Sequence, residues 1–167
     1  MSHTAHRAAA PRTICCAVVT VSDTRTAETD SGGGAIVELL EQAGHDVAAR
    51  TIVPDDPDRV RDAVTAGIGA ADVDVVITTG GTGITRRDGT YEVVSTLLEK
   101  RIDGFGELFR ALSFQEIGPA AMLSRACAGL AGGTIVISVP GSEHAVRLAM
   151  TRLIVPELGH MVREARR

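Results

Sequence analysis

Aromatic residues and an excess of positive charge are what this sequence lacks. Among its 167 residues there are one Tyr, three Phe and no Trp. This scarcity argues against a surface that stacks bases or sugars on rows of aromatic rings. Acidic residues outnumber basic ones by 21 to 17, and the net charge is −4. This net negative charge argues against broad nucleic-acid binding, so no nucleic-acid partner is expected. A local site for a small phosphate-bearing ligand is compatible with the same net charge.

Cysteine pairs and long apolar segments are also missing. The chain has three Cys residues without a CxxC pair, so buried free thiols and the reducing cytosol are expected. No apolar run reaches the roughly 18 residues of a membrane span, so no membrane partner is expected. Residues 1–12 are polar and Ala-rich and predict a disordered tail. The five His residues are too scattered for a metal site.

Strand-like and helical segments alternate along the rest of the chain. Continuous apolar runs predict strands buried on both faces at 13–21 and 73–79, with a further strand at 45–53. Residues 126–130 and 134–139 predict a hairpin. Helical spacing marks the segments 36–43, 60–68, 93–98, 105–112 and 142–162. We therefore predict one domain over residues 13–167, with a three-layer α/β/α fold around a mostly parallel but mixed sheet.

Glycines and polar residues follow four of the predicted strands. They lie at 22–23, at 54–56, in a Gly-rich loop at 80–89, and at 140–142. In an open α/β sheet ligands bind at the carboxyl ends of the strands, so these segments are expected to form one site. The Gly-rich loop has no GKS or GKT ending, and Arg86 breaks a GxGxxG pattern. A Walker site and a dinucleotide-binding fingerprint are therefore both excluded there.

Two carboxylates in these segments, Asp55 and Asp88, are candidates for holding Mg²⁺ beside a polyphosphate. Each has an alternative interpretation. Asp55 could be a turn or helix-cap residue beside Pro57, and Asp88 could belong to an Asp-Gly turn. The helix starts at Ser31 and Ser142 are either anion sites or ordinary N-caps, with Asp30 or Ser31 as the cap of the first helix. The residues together predict a phosphate-bearing ligand and phosphoryl or nucleotidyl transfer, with the substrate left open.

Six motifs in a fixed order identify a resemblance. They are VSDTRTAETDSGG, IVPDD, TTGGTGITRRDGTYE, GFGELFRALSFQEIG, AMLSRACAGL and SVPGSEHAV. Together they resemble the MoaB/MogA family of molybdenum-cofactor biosynthesis proteins over residues 13–162, and the fourth motif is closer to MoaB. The resemblance implies a cytoplasmic enzyme that adenylylates molybdopterin with ATP and Mg²⁺ and releases pyrophosphate. It also implies a molybdate-inserting enzyme as partner and a homotrimer or hexamer.

The resemblance also assigns site residues. Asp55 of IVPDD and Asp88 of RRDGT match the acidic positions for Mg²⁺ and catalysis. The positions matched to substrate and nucleotide binding are Ser22, Asp23, Ser31, Gly32, Thr79, Gly80, Gly81, Thr82, Gly83, Thr90, Ser124, Arg125, Pro140, Gly141 and Ser142. The family commonly has RDVT where this chain has RDGT, with Gly89 at the third position. A non-catalytic molybdopterin-binding paralogue and a scaffold role therefore stay open as alternatives.

Overall fold

A computed structural model describes residue 11 and residues 13–167, so the tail predicted for residues 1–12 lies, apart from residue 11, outside the described residues. The strands are β1 (Cys15–Val21), β2 (Asp46–Val53), β3 (Val75–Thr79), β4 (Lys100–Arg101), β5 (Cys127–Ala131) and β6 (Thr134–Val139). The helices are α1 (Ser31–Gln42), α2 (Pro57–Gly69), α3 (Thr90–Leu97), α4 (Asp103–Ile117), α5 (Glu143–Ala149) and α6 (Val155–Ala165). A 3₁₀ turn (Gly118–Leu123) follows α4, and a π turn (Met150–Ile154) joins α5 to α6.

Within residues 13–167 the strands form one six-stranded sheet in the order β2-β1-β3-β6-β5-β4. The first four strands in this order are parallel, whereas β5 runs antiparallel to both β6 and β4. The predicted mixed sheet and the predicted hairpin are confirmed. The short strand β4 was not predicted, because two exposed charged residues carry no apolar alternation. It forms because β5 offers an open edge, where Lys100 pairs with Leu130.

Helices cover both faces of the sheet, which confirms the three layers. One apolar cluster lies under α1, α4, α5 and α6, and includes Ile36, Phe109 and Ile137. The other lies under α2 and α3, and includes Val64 and Val94. Burial of these side chains is the main stabilising contribution to the domain. Among residues 13–167 no helix has both the length and the apolar character that crossing a bilayer requires.

The aromatic residues divide between core and surface. Phe105 and Phe109 are buried and stack with ring centroids 6.5 Å apart. Phe114, on the same helix, is 59% exposed. Tyr91 lies on α3, where the guanidinium of Arg125 covers its ring. Three of the four aromatics therefore take part in contacts within the chain, and Phe114 is the one whose ring is left largely to the solvent.

Candidate active site

A cleft of about 430 Å³ opens at the carboxyl ends of β1, β3 and β6. Its volume lies in the range of roughly 300–1,000 Å³ that is usual for small-molecule sites. Most of the residues predicted to bind substrate or nucleotide line it, together with one of the two predicted acidic residues. These lining residues are Ser22, Gly32, Thr79, Gly80, Gly81, Thr82, Gly83, Asp88, Ser124, Pro140 and Gly141. Three of the four predicted segments, those that follow β1, β3 and β6, therefore meet in the cleft, whereas residues 54–56 after β2 do not line it.

Close backbone packing forms the floor of the cleft. Gly80 has a φ of 96°, and a Cβ on it would stand 2.2 Å from the carbonyl oxygen of Val21 at the end of β1. A Cβ on Gly141, after β6, would stand 3.1 Å from the Cα of Gly80. Only glycine allows three strand ends to approach this closely. The floor therefore offers main-chain groups rather than side chains to a ligand.

Asp88 is an ionised carboxylate on the wall of this cleft. Its Oδ2 accepts hydrogen bonds from the backbone N–H of Thr85 at 2.9 Å and from the Thr85 hydroxyl at 2.5 Å. The backbone of Gly83 lies against it, since a Cβ there would stand 2.6 Å from Oδ2. The Thr85 hydroxyl, above all, lowers the pKa of Asp88 below its ordinary value, and the backbone N–H groups of Thr85 and Gly83 add to this effect. The carboxylate is therefore available to a cation at neutral pH.

Asp55 lies beside the same loop but in a different environment. Its backbone N–H donates to Oδ1 of Asp23 at 3.1 Å, and Asp23 in turn pairs with the Arg87 guanidinium at 2.6 Å. The Oδ1 atom of Asp55 is buried without a hydrogen-bond partner among the described residues. Burial, and then the charge of Asp88, raise the pKa of Asp55. The charges of the two predicted acidic residues therefore act on each other.

A second oxygen without a partner lies close to Asp55. The Thr90 hydroxyl, at the start of α3, is buried and makes no hydrogen bond within the part of the chain that is described. A Cβ on Gly81 would stand 2.2 Å from Thr90 Oγ1 and 3.1 Å from Asp55 Oδ1, so both oxygens face the same stretch of backbone. Carboxylate and hydroxyl oxygens are ligands that suit Mg²⁺. The residues present therefore fit the ion.

The protein alone does not complete such a metal site. In residues 13–167 no group of three or more His, Cys, Asp or Glu side chains could hold a metal ion. Mg²⁺ is commonly bound by one or two carboxylates together with substrate phosphates and water. A cation held by Asp55 and Asp88 would therefore need oxygens from a bound ligand.

Several predicted residues lie away from the cleft lining. Ser142 is the N-cap of α5 and accepts from the N–H of Ala145 at 3.2 Å, as its alternative interpretation predicts. Ser31 is exposed and is the first residue of α1, whose N-cap is Asp30. Arg125 is half-buried and bonded to carbonyl oxygens of the Gly-rich loop. Ligand contacts by these residues stay predictions.

The cleft also contains residues that sequence reasoning missed, including Thr20 and Asp30. Asp30 is buried, caps α1 through the N–H of Gly33 at 2.9 Å, and binds the Thr20 hydroxyl at 2.8 Å and Arg50 at 2.9 Å. Burial alone would raise the pKa of Asp30, but the three donors outweigh it and lower the pKa. Its position before a helix was a sufficient signal for a cap. Thr20 lies in an otherwise apolar strand, and nothing in that sequence pattern indicates that it lines a cleft.

Comparison with known proteins assigns the chain to a family. The family described as a probable molybdopterin binding domain matches residues 17–160. The chain is 55% identical to molybdenum cofactor biosynthesis protein B of Bacillus cereus, over 100% of this chain and 99% of that protein. A crystal structure of a molybdenum cofactor biosynthesis protein B superposes with a TM-score of 0.91 and 56% identity, covering 94% of this chain and 98% of that one.

A more distant structure agrees with this assignment. The tungsten cofactor synthesizing protein MoaB from Pyrococcus furiosus superposes with a TM-score of 0.86 at 40% identity, covering 95% of this chain and 100% of that one. The match thus holds in motif order, in sequence identity and in the course of the backbone. The chain therefore belongs to the MoaB/MogA family of molybdenum-cofactor biosynthesis proteins, as its motifs predict.

Proposed function

We propose that this protein is a molybdopterin adenylyltransferase, which uses Mg²⁺ and ATP to adenylylate molybdopterin and releases pyrophosphate. Its role in molybdenum cofactor biosynthesis follows from the family. The adenylyl transfer is what we propose in addition. The observation that supports it best is a glycine-floored cleft beside two coupled carboxylates, Asp55 and Asp88. In this proposal the product passes to a molybdate-inserting partner enzyme.

The proposed reaction needs no nucleophile from the protein. An oxygen of the terminal phosphate of molybdopterin attacks the α-phosphorus of ATP. A new P–O bond forms as the bond to the bridging oxygen breaks, and pyrophosphate leaves with that electron pair. A phosphate monoester has a second pKa near 6, so it is largely deprotonated at neutral pH and needs no general base. The task of the chain is therefore positioning and charge compensation.

Different residues in and beside the cleft would position the phosphates and compensate their charge. In the loop from Gly80 to Gly83, the backbone N–H groups of Gly81 and Thr82 can hold phosphate oxygens, since glycines let the main chain approach closely, whereas the N–H of Gly80 donates to the Val139 carbonyl oxygen. Asp55 and Asp88 would hold Mg²⁺, with the Thr90 hydroxyl as a neutral oxygen donor beside them. When bound, the ion neutralises negative charge on the phosphates. The adenine and pterin rings would then rest on backbone and small side chains rather than on aromatic rings.

Turnover by the purified protein tests this function. With molybdopterin, ATP and Mg²⁺ it should release pyrophosphate and form adenylyl-molybdopterin. A pyrophosphate assay and mass spectrometry measure the two products. Asp88→Asn should lower kcat about 100-fold or more, because it removes the charge but keeps the volume. Chelation of Mg²⁺ should abolish turnover. The matched control Asp62→Asn, exposed on α2, should retain wild-type activity.

The second candidate function is molybdopterin binding without turnover, which Gly89 favours because the family commonly has Val there. In the structure Gly89 has a φ of −125°, which any residue can adopt, and it precedes α3 directly. A Cβ at this position would lie 3.2 Å from Cγ of Pro57. Gly89 therefore relieves a contact with Pro57 while Asp88 and Thr90 keep their places. Tight molybdopterin binding with no pyrophosphate release would establish this function and overturn the enzymatic one.

We also propose that the chain works as a homotrimer or hexamer, as the resemblance implies. Helix α4 and the 3₁₀ turn after it carry large apolar side chains that are between 48% and 76% exposed. They are Leu108, Phe114, Ile117, Met122 and Leu123. Contiguous exposed apolar groups commonly mark contact surfaces, and a second subunit would remove them from water.

A further inference from the structure

The Arg125 guanidinium donates most of its N–H groups to acceptors within the protein. Its Nε donates to the carbonyl oxygen of Thr82 at 2.8 Å, and its Nη2 donates to the carbonyl oxygen of Gly83. Both terminal nitrogens also bind the Glu92 carboxylate. The ring of Tyr91 lies 4.8 Å from the guanidinium carbon, and the side chain is 24% exposed. These bonds use four of the five N–H groups of the guanidinium, so a phosphate could make a two-pronged contact with it only by displacing an existing partner.

The Thr82 carbonyl that Arg125 binds belongs to the peptide unit that also supports Asp88. The N–H of Gly83, on the other side of that unit, is close to the Asp88 carboxylate and helps to lower its pKa. The approach is close, because a Cβ on Gly83 would lie 2.6 Å from Asp88 Oδ2. A trans peptide is planar, and its C=O and N–H point in opposite directions. Holding the carbonyl therefore also sets the direction of the N–H that lies against Asp88.

We propose that Arg125 is a positioning residue, which orients the Thr82–Gly83 peptide and through it the Asp88 carboxylate, while Glu92 orients Arg125. In this role Arg125 acts through Asp88 rather than by contacting the substrate. The proposal rests on the proposed function in so far as Asp88 serves the reaction. The arrangement also explains the placement of Glu92 in the first turn of α3, one residue after Tyr91. A single guanidinium thereby joins this helix to the Gly-rich loop.

Solvent exchange of the Gly83 amide in the ligand-free protein is the first test, measured by NMR. Arg125→Lys keeps the charge, but an ammonium cannot bridge two carbonyls and a carboxylate in one plane. The Gly83 amide should exchange about tenfold faster in this variant, because Arg125 would no longer hold the Thr82–Gly83 peptide with its N–H toward Asp88. Arg101→Lys is the matched control, since Arg101 contacts the Tyr91 hydroxyl at 3.3 Å but no loop carbonyl. Unchanged Gly83 exchange in Arg125→Lys would overturn the proposal.

The metal dependence of turnover is the second test. Arg125→Lys should raise the Mg²⁺ concentration for half-maximal activity about tenfold, because loss of a residue that orients a metal ligand weakens metal binding by about that factor. KM for ATP should change less than about twofold. A tenfold higher KM for ATP or molybdopterin, with an unaltered Mg²⁺ requirement, would make Arg125 a ligand contact instead. Glu92→Gln keeps an acceptor for Arg125 and should shift both readouts in the same direction by less, so it decides the matter if the lysine variant does not fold. If the wild type shows no turnover, the proposed function fails, whereas the exchange measurement still decides the role of Arg125.

Discussion

At the scale of single residues, Asp55 and Asp88 have neighbouring positions but opposite electrostatic surroundings. Burial and the charge of Asp88 raise the pKa of Asp55, whereas hydrogen bonds, led by that of the Thr85 hydroxyl, lower the pKa of Asp88. The fold thus disfavours the charged form of the first carboxylate and favours the charged form of the second. A cation bound between ligand and protein would relieve the unfavourable charge on Asp55.

Neutralising these two carboxylates should change the stability of the metal-free protein in opposite directions. At neutral pH, Asp55→Asn should raise Tm by about 1–3 °C and Asp88→Asn should lower it by a similar amount. The raised pKa of Asp55 means that its stabilising, protonated form is lost as pH rises through the folded pKa. The lowered pKa of Asp88 means that its contribution is present above the ordinary aspartate pKa and is lost as pH falls through the folded pKa.

Thermal unfolding of both variants over a range of pH checks this prediction. The difference between wild type and Asp88→Asn should shrink in acid, and so should the gain from Asp55→Asn, because protonation removes each charge in the wild type as well. Shifts of the same sign for both variants at neutral pH would contradict the assignment of the two environments.

At the scale of elements, the site depends on how strand ends meet. Gly80 directly follows β3 with a φ of 96° and lies against the last residue of β1, Val21. Thr79, just before it, donates its hydroxyl to the Pro140 carbonyl at 3.0 Å and so ties β3 to the segment after β6. The cleft is therefore a property of the junction of three strands rather than of the Gly-rich loop alone.

Gly80→Ala should destabilise the protein by about 3 kcal/mol or more, because strain at positive φ and a backbone clash act together. Gly104→Ala is the matched control, since that glycine lies in α4 with no heavy atom within 4 Å of an added Cβ. It should be neutral or stabilising by about 0.5–1 kcal/mol. Urea unfolding measures both changes. Equal midpoints for the two variants would show that the junction tolerates a side chain.

At the scale of the whole molecule, the proposed assembly depends on the apolar surface of α4. Light scattering after size exclusion should give the wild type three or six times its chain mass of 17.4 kDa. Phe114→Glu should reduce this mass toward a single chain, because a charge would have to be buried at the contact. Glu107→Gln, exposed on the same helix, should leave the mass unchanged. A wild type that elutes at 17.4 kDa would contradict the assembly.

Much of the architecture could be predicted because it depends on local pattern. The β-branched runs of β1 and β3 identify central strands, since only strands buried on both faces need continuous apolar sequence. The convergence of polar segments at one edge follows from the parallel direction of those strands. By contrast, β4 has no pattern of its own and exists only because β5 leaves an edge to pair with.

The sequence by itself determined the order of the elements, the family, and the edge of the sheet where a ligand would bind, because these depend on periodicity and on motifs of adjacent residues. Only the tertiary structure decided what individual side chains do there. Arg125 contacts carbonyls of residues 43 and 42 positions away, and Asp30 joins α1 to β1 and to Arg50 of β2. Such partners are far apart along the chain, and it is the packing of helices onto the sheet that brings them within hydrogen-bonding distance.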